Sequence, residues 1–230
     1  MKGMRILGDR TLIEHTLGSI LGSENLSNEV YINSDGAEWS DLAKELGVKF
    51  YHRKAELATS QSMIDDYLYD FICNVEMDYL AVITPTSPFI TSVEMDGAWK
   101  AYQESEANTL ITAEGIQTHC FFQGKSLNFS TSEQLPRSQD LDPVHALNFS
   151  IAIYDAKYFK KAYEENGYAV LAGNIDTFLL DGFSTIDIDE EKDFILAELA
   201  MKFDEFSASY KAEYSKHIQS ILDSKKDTRN

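Results

Sequence analysis

The chain has 230 residues, 43% of them hydrophobic and 12% aromatic, and a formal charge of −18 at pH 7. A folded chain of this length buries roughly 70% of the surface it exposes when unfolded, enough for a real core, and periodic apolar segments throughout exclude intrinsic disorder. The acidic balance excludes a nucleic acid as main partner, because no basic stripe offsets it; a nucleotide can bind only where local Arg, Lys or a divalent metal overrides the field.

Two cysteines, Cys73 and Cys120, lie far apart and supply neither a disulfide framework nor a Cys-rich metal site. The start, Met1-Lys2-Gly3-Met4-Arg5, has no apolar signal core, and no run of about 18 apolar residues occurs. A cytoplasmic protein away from the membrane is expected.

In chain order, Leu12, Ile13, Thr16, Leu17, Ile20 and Leu21 repeat at helical spacing, with Gly22 as the stop. Val30-Tyr31-Ile32 reads as a buried strand ended by Ser34-Asp35-Gly36. Trp39, Leu42, Ala43 and Leu46 share a helix face before Gly47, and Val48 to Tyr51 is the next strand. Ile64, Tyr67, Leu68, Phe71, Ile72 and Val75 form another helical stripe, on which Cys73 is expected in the core. Tyr79 to Ile83 is a strand ending at Pro85, and a helix carries Val93, Ala98, Trp99 and Tyr102. Asn108 to Ala113 is a strand.

The rhythm then changes. Residues 115–147 are polar and aromatic without helical period, and read as a β-hairpin-like excursion, an interface arm. Strand 149–154, helix 156–165, strand 184–188 and helix 190–203 follow, with a surface helix over 204–222 and a frayed tail from Lys225. Strands alternating with helices predict an α/β fold with a mainly parallel sheet and helices on both faces. The expected division is a domain over 1–203, containing the 115–147 arm, and a C-terminal helix and tail over 204–230.

The sharpest chemical signal is Ser184-Thr185-Ile186-Asp187-Ile188-Asp189. In a strand, Asp187 and Asp189 share one face while Ile186 and Ile188 face the core. A hard divalent cation relieves the repulsion between two such carboxylates and can bridge phosphate oxygens. Equally, Asp189 before Glu190 and Glu191 can cap the following helix. The D-x-D pattern also serves many glycosyltransferases. Thr84-Pro85-Thr86-Ser87-Pro88 closes a strand at the edge where ligands gather in open α/β sheets, or is simply a stiff turn. Arg53 stands at another strand end, placed for a phosphate or a base, or for solvent. Arg137 can clamp a carboxylate or pair with Asp140. His119 and His145 lack metal-ligand spacing. No G-x-G-x-x-G, Walker, G-x-S-x-G or H-E-x-x-H motif occurs.

In order, Leu7-Gly8-Asp9-Arg10-Thr11-Leu12-Ile13, Asn33-Ser34-Asp35-Gly36, Arg53-Lys54-Ala55-Glu56-Leu57-Ala58, Pro85-Thr86-Ser87-Pro88, Arg137-Ser138-Gln139-Asp140-Leu141 and Ile186-Asp187-Ile188-Asp189 with Asp193-Phe194 resemble the acylneuraminate cytidylyltransferases, the CMP-sialic acid synthetases and their relatives. The resemblance runs from Lys2 to about Phe203. It implies a Rossmann-like, GT-A-like nucleotidyltransferase fold. It also implies a reaction in which the anomeric hydroxyl of an acidic nonulosonic sugar attacks the α-phosphate of CTP, with Mg²⁺ offsetting charge and pyrophosphate leaving.

Residue by residue, the resemblance gives Asp187 and Asp189 to the metal and Lys2 to the α-phosphate. It places Arg53, Ser62, Thr86 and Ser87 at the nucleotide, and Thr84, Arg137, Gln139 and Asn148 at the sugar. The 115–147 excursion matches the dimerisation arm, so a homodimer is implied. The chain departs from the family pattern at Gly3, Thr84, Ile90 and Phe122. It also starts at the residue matching the family's lysine, without the strand and triphosphate loop that precede it there. A doubly wound sheet lacking its central strand keeps two unpaired edges, so a chain shortened at its start, with impaired activity, is expected. The alternative is a non-catalytic paralogue or fragment that keeps the dimer and part of the nucleotide pocket.

Overall fold

The computed structural model describes residues 2–203 together with Ser207, Tyr210 and Ser215. The expected helix over 204–222 and the tail beyond it lie almost wholly outside the described residues. A short ribbon of β1 (Ile6–Leu7) and β2 (Arg10–Thr11) opens the chain, then α1 (Leu12–Leu21), β3 (Tyr31–Ser34), α2 (Glu38–Glu45) and β4 (Lys49–His52). Next come α3 (Ile64–Asn74), β5 (Tyr79–Ile83), α4 (Ser92–Glu104) and β6 (Thr109–Ile116). The hairpin β7 (Phe121–Phe122) and β8 (Lys125–Ser126) precedes β9 (Val144–Asp155), α5 (Ala156–Asn166), β10 (Ile175–Leu180) and α6 (Glu191–Met201).

Local signals explain where the helices begin and end. Thr11 and Thr91 each accept from the backbone N–H three residues on, and Glu14 and Glu94 reach back to them, so α1 and α4 start in capping boxes. After α2, Gly47 adopts φ 71° and lets Val48 N–H close on the Ala43 carbonyl at 2.9 Å.

The main sheet has the order β10-β6-β9-β5, while β3 and β4 form a separate parallel pair. β10 runs parallel to β6, but β9 is antiparallel to both β6 and β5. The sheet is mixed through β9 alone, which runs against its two neighbours, while β3–β4 and β6–β10 pair in parallel as the α/β reading expects. The cause is the 115–147 excursion: a hairpin-like detour returns the chain at the end it left, so β9 must run against β6. Its tip is the β7–β8 hairpin, turned by Gln123 and Gly124 at φ 48° and 79°.

Helices cover both faces, as expected. On one, Ile13, Leu17 and Ile20 of α1 and Met95 and Ala98 of α4 pack on Leu110, Ile151 and Ile153. On the other, Leu68 and Phe71 of α3 and Phe159 of α5 pack on Ile111, Ala152 and Tyr154. Adjacent residues of β6 and β9 thus enter opposite cores, the signature of strands buried on both sides. A third cluster joins Leu7 and Leu12 to Ile188, Phe194 and Ala197 of α6.

Between β3 and β5 the sheet is split. Each strand is paired on one side only, β3 with β4 and β5 with β9, among the described residues. Three further expectations are corrected. Residues 184–188 form no ladder strand: a 3-10 turn over Gly182–Thr185 leads into extended chain held by Ile188 N–H on the Thr86 carbonyl at 2.9 Å. β10 was not expected. Cys73 is exposed at the end of α3 rather than in the core.

Candidate active site

The strand ends of β3, β4 and β5 converge on one cavity of about 340 Å³, lined by Asn33, Ser34, Arg53, Tyr67, Thr84 and Pro85 among others. This edge is where an open α/β sheet places its ligands. Arg53, just past β4, donates from Nε to the Asn33 side-chain oxygen and from a terminal nitrogen to the Asn33 carbonyl, both at 2.9 Å. Its guanidinium lies 4.0 Å from the centre of the Tyr67 ring. Burial pulls the Arg53 pKa below its ordinary value, opposed by Tyr67 and Asp35. Arg53 is thus a preoriented cation rather than a solvated side chain. Asn33 and Tyr67, which hold it, escaped the sequence reading as site residues. Asn33 stands in the sequence only within the Asn33-Ser34-Asp35-Gly36 stretch of the resemblance, with no role of its own, and Tyr67 reads as one position of an apolar helical stripe.

The loop after β5 is fixed from within. Ser87 is fully buried, and its hydroxyl donates to Ser150 at 2.9 Å while lying 3.1 Å from the Thr84 hydroxyl. Ser87 therefore positions the loop instead of facing a nucleotide, which corrects its expected role. Thr84 and Thr86 are half-buried at the edge. Ile90, where the family pattern carries an arginine, is core, 1% exposed.

A bulge in β9 places Asn148. The β6–β9 register shifts between Ile111 and Ala113, and Phe149 takes φ 55°. The Thr112 hydroxyl donates to the Asn148 side-chain oxygen at 2.7 Å and accepts from Ile151 N–H at 2.9 Å. The Asn148 amide nitrogen is left buried without a hydrogen-bond partner. The positive φ and the unpaired buried donor make Asn148 a candidate contact for a ligand or an ordered water.

Asp187 and Asp189 flank buried Ile188, so the predicted alternation survives without a strand. One Asp187 carboxylate oxygen is buried and without a hydrogen-bond partner; Asp189 is exposed, and Lys2 Nζ donates to it at 3.0 Å. Asp189 is not the cap of α6. Glu190 takes that place, with Asp193 accepting from the N–H groups of Glu190 and Asp189 at 2.8 and 3.1 Å. A hard divalent cation suits an orphaned carboxylate oxygen beside a second carboxylate. Among the described residues no group of three or more His, Cys, Asp or Glu gathers, so such an ion would complete its shell with phosphate oxygens and water.

The N-terminal segment is clamped to the same place. Arg5 makes a bidentate pair with Glu191 at 2.7 and 2.9 Å and lies 3.7 Å over the Phe194 ring. Gly3 sits so close to Trp39 and Pro85 that a Cβ would lie 3.3 and 3.7 Å from them. Lys2, Asp189, Arg53 and Thr84 are thereby gathered around one edge. Arg137 and Gln139 are not: Arg137 pairs with Asp140 at 2.7 and 2.9 Å, exposed, and the Gln139 carbonyl accepts from Gln117 in the arm. Ser62 donates to the Glu56 carbonyl at 3.1 Å in the turn before α3, away from the cavity lining.

The family described as Cytidylyltransferase matches residues 1–180. The chain belongs to it. N-acylneuraminate cytidylyltransferase from Streptococcus agalactiae serotype V is 22% identical over 232 residues, covering 94% of this chain and 54% of that protein. Post-translational flagellin modification protein B from Campylobacter coli is 24% identical, covering 87% and 88% of the two chains. The chain spans about half the length of the N-acylneuraminate relatives it matches. In fold it resembles a CMP:2-keto-3-deoxy-manno-octonic acid synthetase solved with CTP, at a TM-score of 0.64 and 14% identity over 88% of this chain and 92% of that one. A 2-C-methyl-D-erythritol 4-phosphate cytidylyltransferase from Thermus thermophilus gives 0.61 at 16% identity, over 87% and 94%. Among the described residues, no helix is long and apolar enough to cross a membrane.

Proposed function

We propose that this cytidylyltransferase forms a CMP-activated acidic sugar of the sialic or nonulosonic type from CTP. The sugar's anomeric hydroxyl oxygen bonds to the α-phosphorus, the bond from that phosphorus to the bridging oxygen breaks, pyrophosphate leaves and the hydroxyl proton is released. The observation that carries the reading is the buried, unpaired oxygen of Asp187 beside Asp189 and Lys2, at the edge that also presents Arg53 and Thr84. Mg²⁺ held by Asp187 and Asp189 would supply Lewis-acid stabilisation of phosphate charge.

The chain's own residues do the rest. Arg53, fixed by Asn33 and Tyr67, binds the nucleotide in the cavity. Lys2 is poised to exchange Asp189 for an α-phosphate oxygen, which converts a surface ion pair into substrate contact. Asn148 offers its free N–H to a sugar oxygen, with Thr84 across the β5–β9 junction. Arg137 and Gln139 lie on the arm, and reach a sugar carboxylate only if the arm closes on a site, their own or a second copy's. The arm exposes Phe121, Phe122 and Leu135 at 57%, 62% and 66%, which suits a homodimer interface. The expected setting is cytoplasmic.

A second reading is favoured by the split between β3 and β5: a non-catalytic relative that keeps the nucleotide cavity. Calorimetry with CTP, with and without Mg²⁺, followed by product analysis with acidic sugars, separates the two. Metal-dependent binding abolished in Asp187→Asn, together with CMP-sugar formation, is the expected result. Binding without product supports the second reading, and CTP binding indifferent to both metal and Asp187 overturns the first.

A further inference from the structure

One charged side chain lies where the apolar pattern gives no reason for it. Asp70 stands in the stripe of α3 beside Leu68 and Phe71, and at 9% exposure it is the one Asp, Glu, Lys or Arg among the described residues that is buried. A carboxylate there carries a desolvation cost that an apolar residue of similar size avoids, so what it binds must compensate. Both of its oxygens are taken. Oδ2 accepts from the Tyr51 hydroxyl at 2.7 Å and Oδ1 from Lys54 Nζ at 2.5 Å. Burial pushes the Asp70 carboxyl up, but Lys54 and Tyr51 outweigh it and hold it below its ordinary value, so it is ionised at neutral pH.

The two donors bracket Arg53. Tyr51 belongs to the last turn of the β4 ladder, where it pairs across the strands with Asn33, and Lys54 follows the strand. Asn33 is the residue whose side chain and carbonyl hold the Arg53 guanidinium. Between the two donors, Arg53 N–H donates to the Ser34 carbonyl at 2.9 Å, so the chain is still held by β3 there. One turn before Asp70 and on the same side of α3, the Tyr67 ring lies 4.0 Å from the guanidinium. Helix α3 therefore meets the end of β4 at two adjoining points. Asp70 grips the residues on either side of Arg53, and Tyr67 supports Arg53 itself. The first contact is the directional one, a carboxylate with two hydrogen bonds, whereas a ring face under a cation tolerates rotation of the helix.

We infer that Asp70 is a positioning residue for nucleotide binding: by holding Tyr51 and Lys54 it sets α3 against the end of β4, and so keeps the Tyr67 ring beside Arg53 and the guanidinium at the cavity. Asp70 itself is outside the cavity lining and acts only through these neighbours. The inference rests on the reading of Arg53 as the cation that binds CTP.

Asp70→Leu tests it, because leucine suits the apolar side of α3 and can hold neither donor. The urea midpoint is expected to stay level or rise, since an apolar side chain replaces a buried charge. Against that, CTP affinity should fall about five- to tenfold. In the protein without CTP, exchange of the Arg53 Nε–H, followed by ¹⁵N NMR, should quicken about tenfold or more. Asp70→Asn keeps an acceptor for Tyr51 but loses the charge that pairs with Lys54, and should fall between parent and Asp70→Leu on both readouts. In an Arg53→Ala background, Asp70→Leu should change the remaining CTP affinity by less than about twofold. Equal losses in the two backgrounds mean that Asp70 acts on the fold at large and overturn the inference. So does an Arg53 Nε–H that exchanges as slowly in Asp70→Leu as in the parent. Should Asp70→Leu fail to fold, Asp70→Asn and Lys54→Met carry the same readouts, and the same two results overturn it. CTP binding indifferent to Arg53→Ala would overturn the nucleotide reading of Arg53 instead, and the Nε–H exchange, which needs no nucleotide, then decides whether Asp70 positions the arginine.

Discussion

Arg53 is the residue on which stability and ligand binding can be separated most cleanly. Its guanidinium carries five N–H donors, of which two go to Asn33 at 2.9 Å, leaving the others for a ligand in the cavity. Truncation to Ala removes two hydrogen bonds that would be about 1.5–3 kcal/mol each if both partners stayed dry. They do not, because Asn33 lines the cavity and water can reach its oxygens, so each bond counts for about 1 kcal/mol. Loss of the Tyr67 stack adds about 0.5–1 kcal/mol, and relief from burying a cation takes some of this back.

The net expectation is a loss of about 1–2 kcal/mol in urea unfolding at neutral pH, and for CTP a weakening of about 30- to 100-fold, the equivalent of one charge-assisted bond. Arg53→Lys keeps the charge without the fork, and is expected to recover part of the affinity and little of the stability. An Arg53→Ala protein that unfolds earlier yet binds CTP as tightly as the parent would refute the reasoning, for Arg53 would then only pin Asn33.

Asp96 accepts from Ser23 and Asn25 side chains and from the backbone of Glu24 and Asn25, tying α4 to the end of α1. Burial pushes its pKa up, but these donors outweigh it and hold it down at about 2. The folded value is depressed, so the stabilisation is complete above the unfolded value near 3.8 and is lost as pH falls through 2; discounted for solvent screening it is about 1 kcal/mol. In Asp96→Asn, urea midpoints at pH 5 and pH 2.5 should differ by less than in the parent. Gly173 has φ 76°, and a Cβ there would lie 2.4 Å from Asn108 and 2.7 Å from Tyr158. Gly173→Ala should therefore cost about 2–4 kcal/mol in urea unfolding, and a neutral outcome would mean that the turn before β10 gives way freely. Phe122→Asp in the arm should leave the thermal unfolding of a monomer unchanged but reduce the dimer fraction in sedimentation, if the arm carries the interface.

The sequence made most elements legible because buried strands and amphipathic helices differ in period: Tyr79–Ile83 has the bounds the pattern predicts, and α1 and α5 begin where their apolar or capping residues do. Strand direction is not periodic, so β9 could be placed but not oriented from its residues. β10 was missed because it is an outer strand whose Ile175 and Leu179 are 43% and 42% exposed, with Asp176 and Thr177 between them, a weak alternation. The opposite error at 184–188 has the mirror cause: Ile186 and Ile188 alternate well, but they serve the packing against Leu7 and Phe194, with no neighbouring strand among the described residues. At the site, residue types at strand ends were readable. Their supports were not, because Asn33, Tyr67 and Thr112 act through contacts distant in sequence.

That division has a physical reason in how the edge is built. Each candidate ligand group is held by a partner from a different element: Arg53 by Asn33 and Tyr67, Asn148 by Thr112, Asp189 by Lys2, and the loop that carries Thr84 is pinned by Ser87 on Ser150. Such cross-element bonds fix positions to well under about 1 Å when the sheet beneath them is continuous, which positional catalysis of phosphoryl transfer requires. Here Arg53 stands on the β3–β4 pair, whereas Thr84, Ser87 and Asn148 stand on the four-stranded sheet, and no backbone ladder joins the two among the described residues. What links them is side-chain packing through α1 and Trp39, which tolerates small rotations that hydrogen-bonded strands do not. The distance between the arginine and the sugar-side groups is therefore the softest coordinate of the site.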